Sequence, residues 1–353
     1  TARFDGTRWQ RRMHPKLSWS INAVCEAADG SLYFGAAGGG GRRAERGYLG
    51  GLLRFSGKNW RHDTPPGPQG VPYGLAQSVD GTIWSGAFFG LQHFDGKVWT
   101  RVEEPEELMS VIQEVYAAPG KDLWAGTRLY GAFRYDGATW TRYDTQDGLV
   151  DNNIRSILQT EDGSVWVATS EGISRFDGQT WTTHALPADL VGRRVELRQS
   201  RDGAVWINSS LRTDFRTVRY DPSQTPPETE ILVSLKEVSQ PGNTVISWRG
   251  SSPWKATPEA ELQYAFRTNG GEWSAFAHRT NQPFFSLSSG KHTFEVQARD
   301  RDFNVDPTPA SIAFTVIPPV WQQPWFLGLM VVLLGGIGFQ TGRVVRRDRR
   351  LQE

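Results

Sequence analysis

The chain has 353 residues, 39 basic and 38 acidic, for a formal charge of +1. That length allows two or three domains with sizeable cores. The balanced charge argues against a nucleic-acid surface, which needs a basic excess. The lone cysteine, Cys25, excludes an intrachain disulfide. Its apolar flanks (Ile21, Ala23, Val24, Ala27, Ala28) read as a buried strand carrying a structural thiol.

A repeat accounts for the 15 Trp and 38 Gly. One set of aromatic anchors is Tyr33, Trp84, Trp124, Trp166 and Trp206, spaced 51, 40, 42 and 40 residues apart. A second is Trp9, Trp60, Trp99, Trp140 and Trp181, spaced 51, 39, 41 and 41. A period of about 40–45 with several short strands per copy predicts a β-propeller. The chain opens inside a copy, at Arg3-Phe4-Asp5-Gly6, without an initiator Met or leader, and it ends in a charged stretch. It therefore reads as a piece of a longer protein, lacking blades upstream.

Within one copy, 154–158, 165–169, 172–176 and 180–183 read as four strands. Asp162-Gly163 and Asp177-Gly178 are tight turns, because glycine takes positive φ at no steric cost. Paired Asp at calcium-loop spacing does not occur, so these aspartates read as turn formers. The glycine-rich insertion at 38–51 falls between the second and third strands of the first copy. It is either a tolerated surface loop or a mobile lid over a ligand face.

Residues 1–222 thus form the propeller repeats, and 223–227 a Pro-rich linker. From 228 to 318 the repeat is gone. Runs at 231–233, 244–248, 262–266, 292–298 and 312–316 alternate as the strands of an immunoglobulin-like β-sandwich, without a disulfide pair.

No charged residue occurs from 317 to 342. Residues 321–342 are expected to form one transmembrane helix, whose core spans ~27 Å against a hydrocarbon layer of ~30 Å. Trp321 and Trp325 mark one interface, and Arg343, Arg346, Arg347, Arg349 and Arg350 the other. The positive-inside rule puts 1–320 outside a bacterial cytoplasmic membrane and 343–353, the start of a signalling linker, in the cytoplasm. A buried core helix is the alternative, and the one-sided arginines argue against it.

Several motifs resemble a known architecture. Asp162-Gly163-Ser164-Val165-Trp166-Val167-Ala168-Thr169, with Gly172 and Arg175-Phe176-Asp177, is similar to the two-component regulator propeller repeat. Gly148-Leu149-Val150-Asp151-Asn152-Asn153-Ile154 is similar to the loop entering its first strand. Leu262, Tyr264, Trp273, Gly290-Lys291-His292 and Pro318-Pro319 resemble the Y_Y_Y domain that follows such propellers, with His292 where Tyr is usual. The resemblance covers nearly the whole chain. It implies the extracytoplasmic sensor half of a membrane-bound histidine kinase or hybrid two-component receptor. Such propellers usually have seven blades, whereas about five copies are present here.

No nucleophile elbow, phosphate loop or metal-binding histidine pair appears, and the six histidines are scattered. No catalytic residue, metal site or cofactor is expected. In a four-stranded blade, the loops between strands two and three share a face with those between blades, and variable loops carry binding. These loops hold Trp19, Tyr73, Phe88, Phe89, Arg128, Tyr130, Asn152, Asn153, Arg193 and Arg212. Aromatics beside Asn and Arg suit a small molecule or oligosaccharide, stacked on a ring and hydrogen-bonded through hydroxyls or a carboxylate. The same residues could equally be ordinary rim. The expected function is a ligand-binding sensor region that signals through the sandwich and helix to a cytoplasmic kinase, as a homodimer. A membrane-anchored extracellular propeller enzyme or adhesion protein is the alternative.

Overall fold

The computed structural model describes residues 2–4, 6–11, 21–36, 51–57, 59–63, 72–186, 190–192, 194–211, 214–233, 235–253 and 256–352. It divides into two units, Thr1–Pro222 and Ser223–Glu353.

The first unit is a β-propeller. A hairpin of β1 (Ala2–Phe4) and β2 (Trp9–Arg11) precedes five antiparallel sheets. The first sheet holds β3 (Ile21–Glu26), β4 (Leu32–Ala36), β5 (Gly51–Ser56) and β6 (Asn59–Asp63). The second holds β7 (Pro72–Gln77), β8 (Ile83–Ala87), β9 (Gly90–Phe94) and β10 (Trp99–Arg101). The third holds β11 (Ile112–Ala117), β12 (Leu123–Thr127), β13 (Ala132–Tyr135) and β14 (Trp140–Tyr143). The fourth holds β15 (Ile154–Gln159), β16 (Val165–Thr169), β17 (Gly172–Phe176) and β18 (Trp181–Ala185). The fifth has three strands, β19 (Arg194–Gln199), β20 (Val205–Leu211) and β21 (Asp214–Tyr220). Every sheet is a meander in chain order. The first strands of successive sheets pack side by side, β3 on β7, β7 on β11, β11 on β15 and β15 on β19. They form the inner wall.

The repeat builds the same relay in three of the blades. Trp84, Trp166 and Trp206 donate their indole N–H to Ser78, Thr160 and Ser200, at 3.0, 3.2 and 2.9 Å. Those hydroxyls donate to Asp80, Asp162 and Asp202. In the fourth blade Arg175 closes the relay, donating to Ser164 and Asp162 while its guanidinium lies 4.9 Å from the Trp166 ring centre. Burial opposes the Asp162 charge, but the hydrogen bonds from Thr160 and Ser164 and the Arg175 charge prevail, holding its pKa near 2. The other aspartates cap the opposite hairpins, where Asp95, Asp136 and Asp177 each accept two backbone N–H groups. The aspartates of both turn sets are thus engaged in turns.

Neighbouring blades meet at missing side chains. A Cβ at Gly86 would lie 2.5 Å from Ile112 Cγ2, and one at Gly126 would lie 2.6 Å from Ile154 Cγ2. Glutamine side chains stitch the same seam. Gln77 accepts from Ala28 N at 2.7 Å, and Gln199 accepts from Glu161 N at 3.2 Å.

Two expectations change here. Cys25 lies on a strand but is only partly buried, because β3 faces a central cavity that Cys25 itself lines. Trp9, in the second anchor set, is 70% exposed, whereas Trp99 and Trp181 are buried. The glycine-rich insertion lies outside the described residues, save its last residue, Gly51.

The second unit is a sandwich of two sheets. One holds β22 (Glu228–Ile231), β24 (Thr244–Ser251) and β26 (Asn281–Phe284). The other holds β23 (Glu237–Val238), β28 (Ala310–Val316), β27 (Gly290–Arg299) and β25 (Gln263–Thr268). Trp248, Phe294, Val296 and Val316 fill the space between them. The run expected at 231–233 ends at Ile231. The strands β23 and β26 are too short and too polar to show as alternation. His292 stacks on Phe314 at 5.7 Å, doing by ring contact what an aromatic phenol would do there.

The helix α1 spans Pro324–Gln352, running past the expected limit at 342 because the arginines that follow are good helix formers. Its segment Pro324–Arg347 is long and apolar enough to cross a membrane, and none of it is buried.

Candidate functional site

The inner strands share a local defect. The register shifts between Ile21 and Ala23 in β3, Pro72 and Gly74 in β7, Ile112 and Glu114 in β11, and Ile154 and Ser156 in β15. An extra residue in one strand bends it and redirects a side chain. The extra residues are Asn22, Tyr73, Gln113 and Arg155, one per blade at the same position. The register of β19 against β20 is continuous.

Asn22, Tyr73 and Arg155 line a central cavity of about 910 Å³, together with Glu114, Arg194, Glu196 and Arg198. Gln113 joins two blades. Arg155 Nη1 donates to Gln113 Oε1 at 2.6 Å, and Gln113 Nε2 donates to Asn153 Oδ1 at 2.6 Å. Arg155 Nε is buried and has no hydrogen-bond partner among the described residues. Burial and the nearby charges of Arg128 and Arg194 lower the Arg155 pKa, which Asp151 only partly counters.

Glu114 sits deeper among these charges. Burial pushes its pKa up to about 8, against the pull of Arg198 and Arg194 and with a further push from Glu196. Its carboxyl is therefore largely protonated at neutral pH and able to donate a hydrogen bond. Glu196 and Arg198 form an ion pair with each other.

Of the residues expected at the site, Tyr73 lines the cavity, Asn153 reaches it through Gln113, and Arg128 acts on Arg155 electrostatically. Phe88 and Phe89 form the turn between β8 and β9, exposed and edge-to-face at 5.0 Å. Tyr130 is engaged by Arg142, whose guanidinium lies 5.8 Å from its ring centre and which also pairs with Glu107 and Asp144. Asn152 accepts from Thr145 N at 3.0 Å and supports its own loop. Trp19, Arg193 and Arg212 lie outside the described residues.

The loop argument missed Gln113, Glu114, Arg155, Arg194, Glu196 and Arg198, which stand on strands. One signal was available. A strand walled in by its neighbours should be apolar, yet 194–199 reads charged at every second position, which marks a face turned to water. Among the described residues no group of three His, Cys, Asp or Glu side chains is placed to hold a metal.

Residues 148–171 match the family model of the two component regulator propeller. No curated protein matches the chain. Among solved structures, the extracellular domain of the putative hybrid two component system BT3049 from B. thetaiotaomicron superposes with a TM-score of 0.52 at 15% identity, covering 90% of this chain and 47% of that one. The extracellular domain of the putative one component system BT4673 from the same organism gives 0.43 at 16% identity, covering 86% and 56%. Virginiamycin B lyase from Staphylococcus aureus gives 0.43 at 10% identity, covering 84% and 95%. The chain spans about half the length of the first two. At such identities the likeness is one of fold. The motif match and that fold agree on a propeller, in which residues 148–171 carry the two component regulator propeller motif.

Proposed function

We propose that this chain is the extracytoplasmic sensor region of a single-pass receptor, and that it binds a small molecule or oligosaccharide at the mouth of the propeller cavity. The observation that carries this reading is the set of side chains redirected at one position of successive inner strands. Asn22, Tyr73 and Arg155 of that set line the cavity, where a ligand meets them, while Gln113 holds Arg155 in place. Ligand binding would order these strands. The change would pass along the chain through residues 223–227, the sandwich and α1 to a cytoplasmic histidine kinase. A single helix transmits best against a partner helix, so the working receptor is a homodimer. Residues 1–320 would lie outside the cytoplasmic membrane and 343–353 inside it.

A thermal-shift titration of the detergent-solubilised chain against an oligosaccharide panel tests the reading. A ligand whose stabilisation disappears in Tyr73→Ala supports it. Turnover of any panel member would favour an anchored enzyme instead.

A further inference from the structure

We propose that the ligand is anionic, a sugar-sized molecule bearing a carboxylate or sulfate, and that Arg155, flanked by Arg128 and Arg194, supplies its counter-charge. This rests on the cavity being the ligand site.

Several arginines elsewhere in the propeller are neutralised. Arg54 pairs with Asp29, Arg134 with Asp122, Arg175 with Asp162 and Arg219 with Asp221. Arg128, Arg155 and Arg194 come from three successive blades and have no ion pair among the described residues. They are close enough that Arg128 and Arg194 both disfavour the charge on Arg155. Like charges gathered beside one weaker counter-charge, Asp151, destabilise a fold, and here one member is partly desolvated as well. An oxyanion would offset that repulsion. A guanidinium is also the side chain whose planar fork matches a carboxylate or sulfate in two parallel hydrogen bonds. Arg155 is set for this, since Gln113 fixes its Nη1 and so holds the guanidinium at the cavity wall.

The acidic side chains of the cavity do not cancel the site. Glu196 is taken by Arg198, and Glu114 holds its proton at neutral pH. An anion entering past Arg155 therefore meets a donor at Glu114 rather than a second negative charge. Tyr73 at the same rim offers a ring face for stacking. The volume, about 910 Å³, is that of a pocket for a small ligand rather than a polymer groove.

Titration calorimetry on the detergent-solubilised full chain provides the test, with digalacturonate, its neutral dimethyl ester and a sulfated disaccharide as probes. A charged probe should bind at least ~10-fold more tightly than the ester, and more weakly as salt is raised. Arg155→Gln and Arg194→Gln should each abolish that preference. Sodium sulfate is a probe independent of sugar identity. It should raise the melting temperature of the parent more than that of either variant. Equal stabilisation of parent and variants by sulfate overturns the proposal. A neutral ester that binds as tightly as the acid, and is lost in Tyr73→Ala, overturns the anion requirement while leaving the ligand site intact. If no probe binds and sulfate does not distinguish the variants, both readings fall.

Discussion

Trp166 donates its indole N–H to Thr160 Oγ1 at 3.2 Å, and the same hydroxyl serves Asp162 at 2.6 Å. Ser78 and Ser200 do this for Trp84 and Trp206. In the third blade the equivalent residue is Ala118, and Trp124 Nε1 is buried without a hydrogen-bond partner among the described residues. Ala118→Ser should therefore stabilise the propeller by ~0.5–1.5 kcal/mol, and Thr160→Val should cost ~1–3 kcal/mol. Chemical denaturation of the two variants checks both signs. An Ala118→Ser protein no more stable than the parent would show that the relay is incidental.

The blade seam predicts a second asymmetry. Gly126→Ala should cost ~1–3 kcal/mol, since its new methyl meets Ile154 Cγ2 at 2.6 Å and Ile154 Cβ at 2.9 Å. The corresponding residue of the fourth blade is already alanine, Ala168, fully buried against β19, which has no extra residue. Ala168→Gly should thus cost only the ~0.5–1 kcal/mol of a glycine in a strand. Thermal melts of the pair distinguish steric closure from a general dislike of substitution.

The Glu114 pKa, near 8 in the fold and 4.5 as the ordinary value, sets a pH dependence. Between these values the folded state binds the extra proton. Stability is then fully present below about pH 4.5 and falls as pH rises towards about 8, by up to ~1.4 kcal/mol per unit. Glu114→Gln keeps the shape and the donor, and should flatten that decline. Denaturation midpoints at pH 5, 6.5 and 8 measure it. A parent that is equally stable at all three, once other titrations are matched by the variant, removes Glu114 as the cause.

Topology gives the last prediction. Reporter fusions after residue 227 and after residue 353 should report opposite compartments, because a charge-free α1 segment lies between them. Matching signals would mean that the helix does not cross the membrane.

The propeller was legible because its units are local. The turn aspartates, the buried Trp and the glycines recur at fixed offsets, and each offset is a hydrogen bond or a close contact within one blade or with the next. The strands 165–169 and 172–176 fall where the repeat puts them. The sandwich was less legible at β23, which is two residues long, and at β26, where Asn281, Gln282 and Pro283 hide the alternation. The cavity was hardest to read. Its residues belong to different blades, and the irregularity that turns Tyr73, Gln113 and Arg155 appears only in the pairing register. A loop-centred search finds Arg128 and Asn153 but has no reason to pick Glu114, one residue past Gln113 on a strand.

The uninterrupted register of β19 has its own effect. Without an added residue, strict alternation holds along the strand: Val195 and Leu197 turn into the blade, while Arg194, Glu196 and Arg198 stay exposed. One six-residue strand therefore contributes three charged side chains to the cavity wall, while β3, β7 and β15 each give it one redirected residue. Exchanging those three side chains would reset the charge of the cavity without disturbing any interior contact of the five sheets. Proteins sharing this framework would differ in cavity charge through changes confined to one stretch of chain.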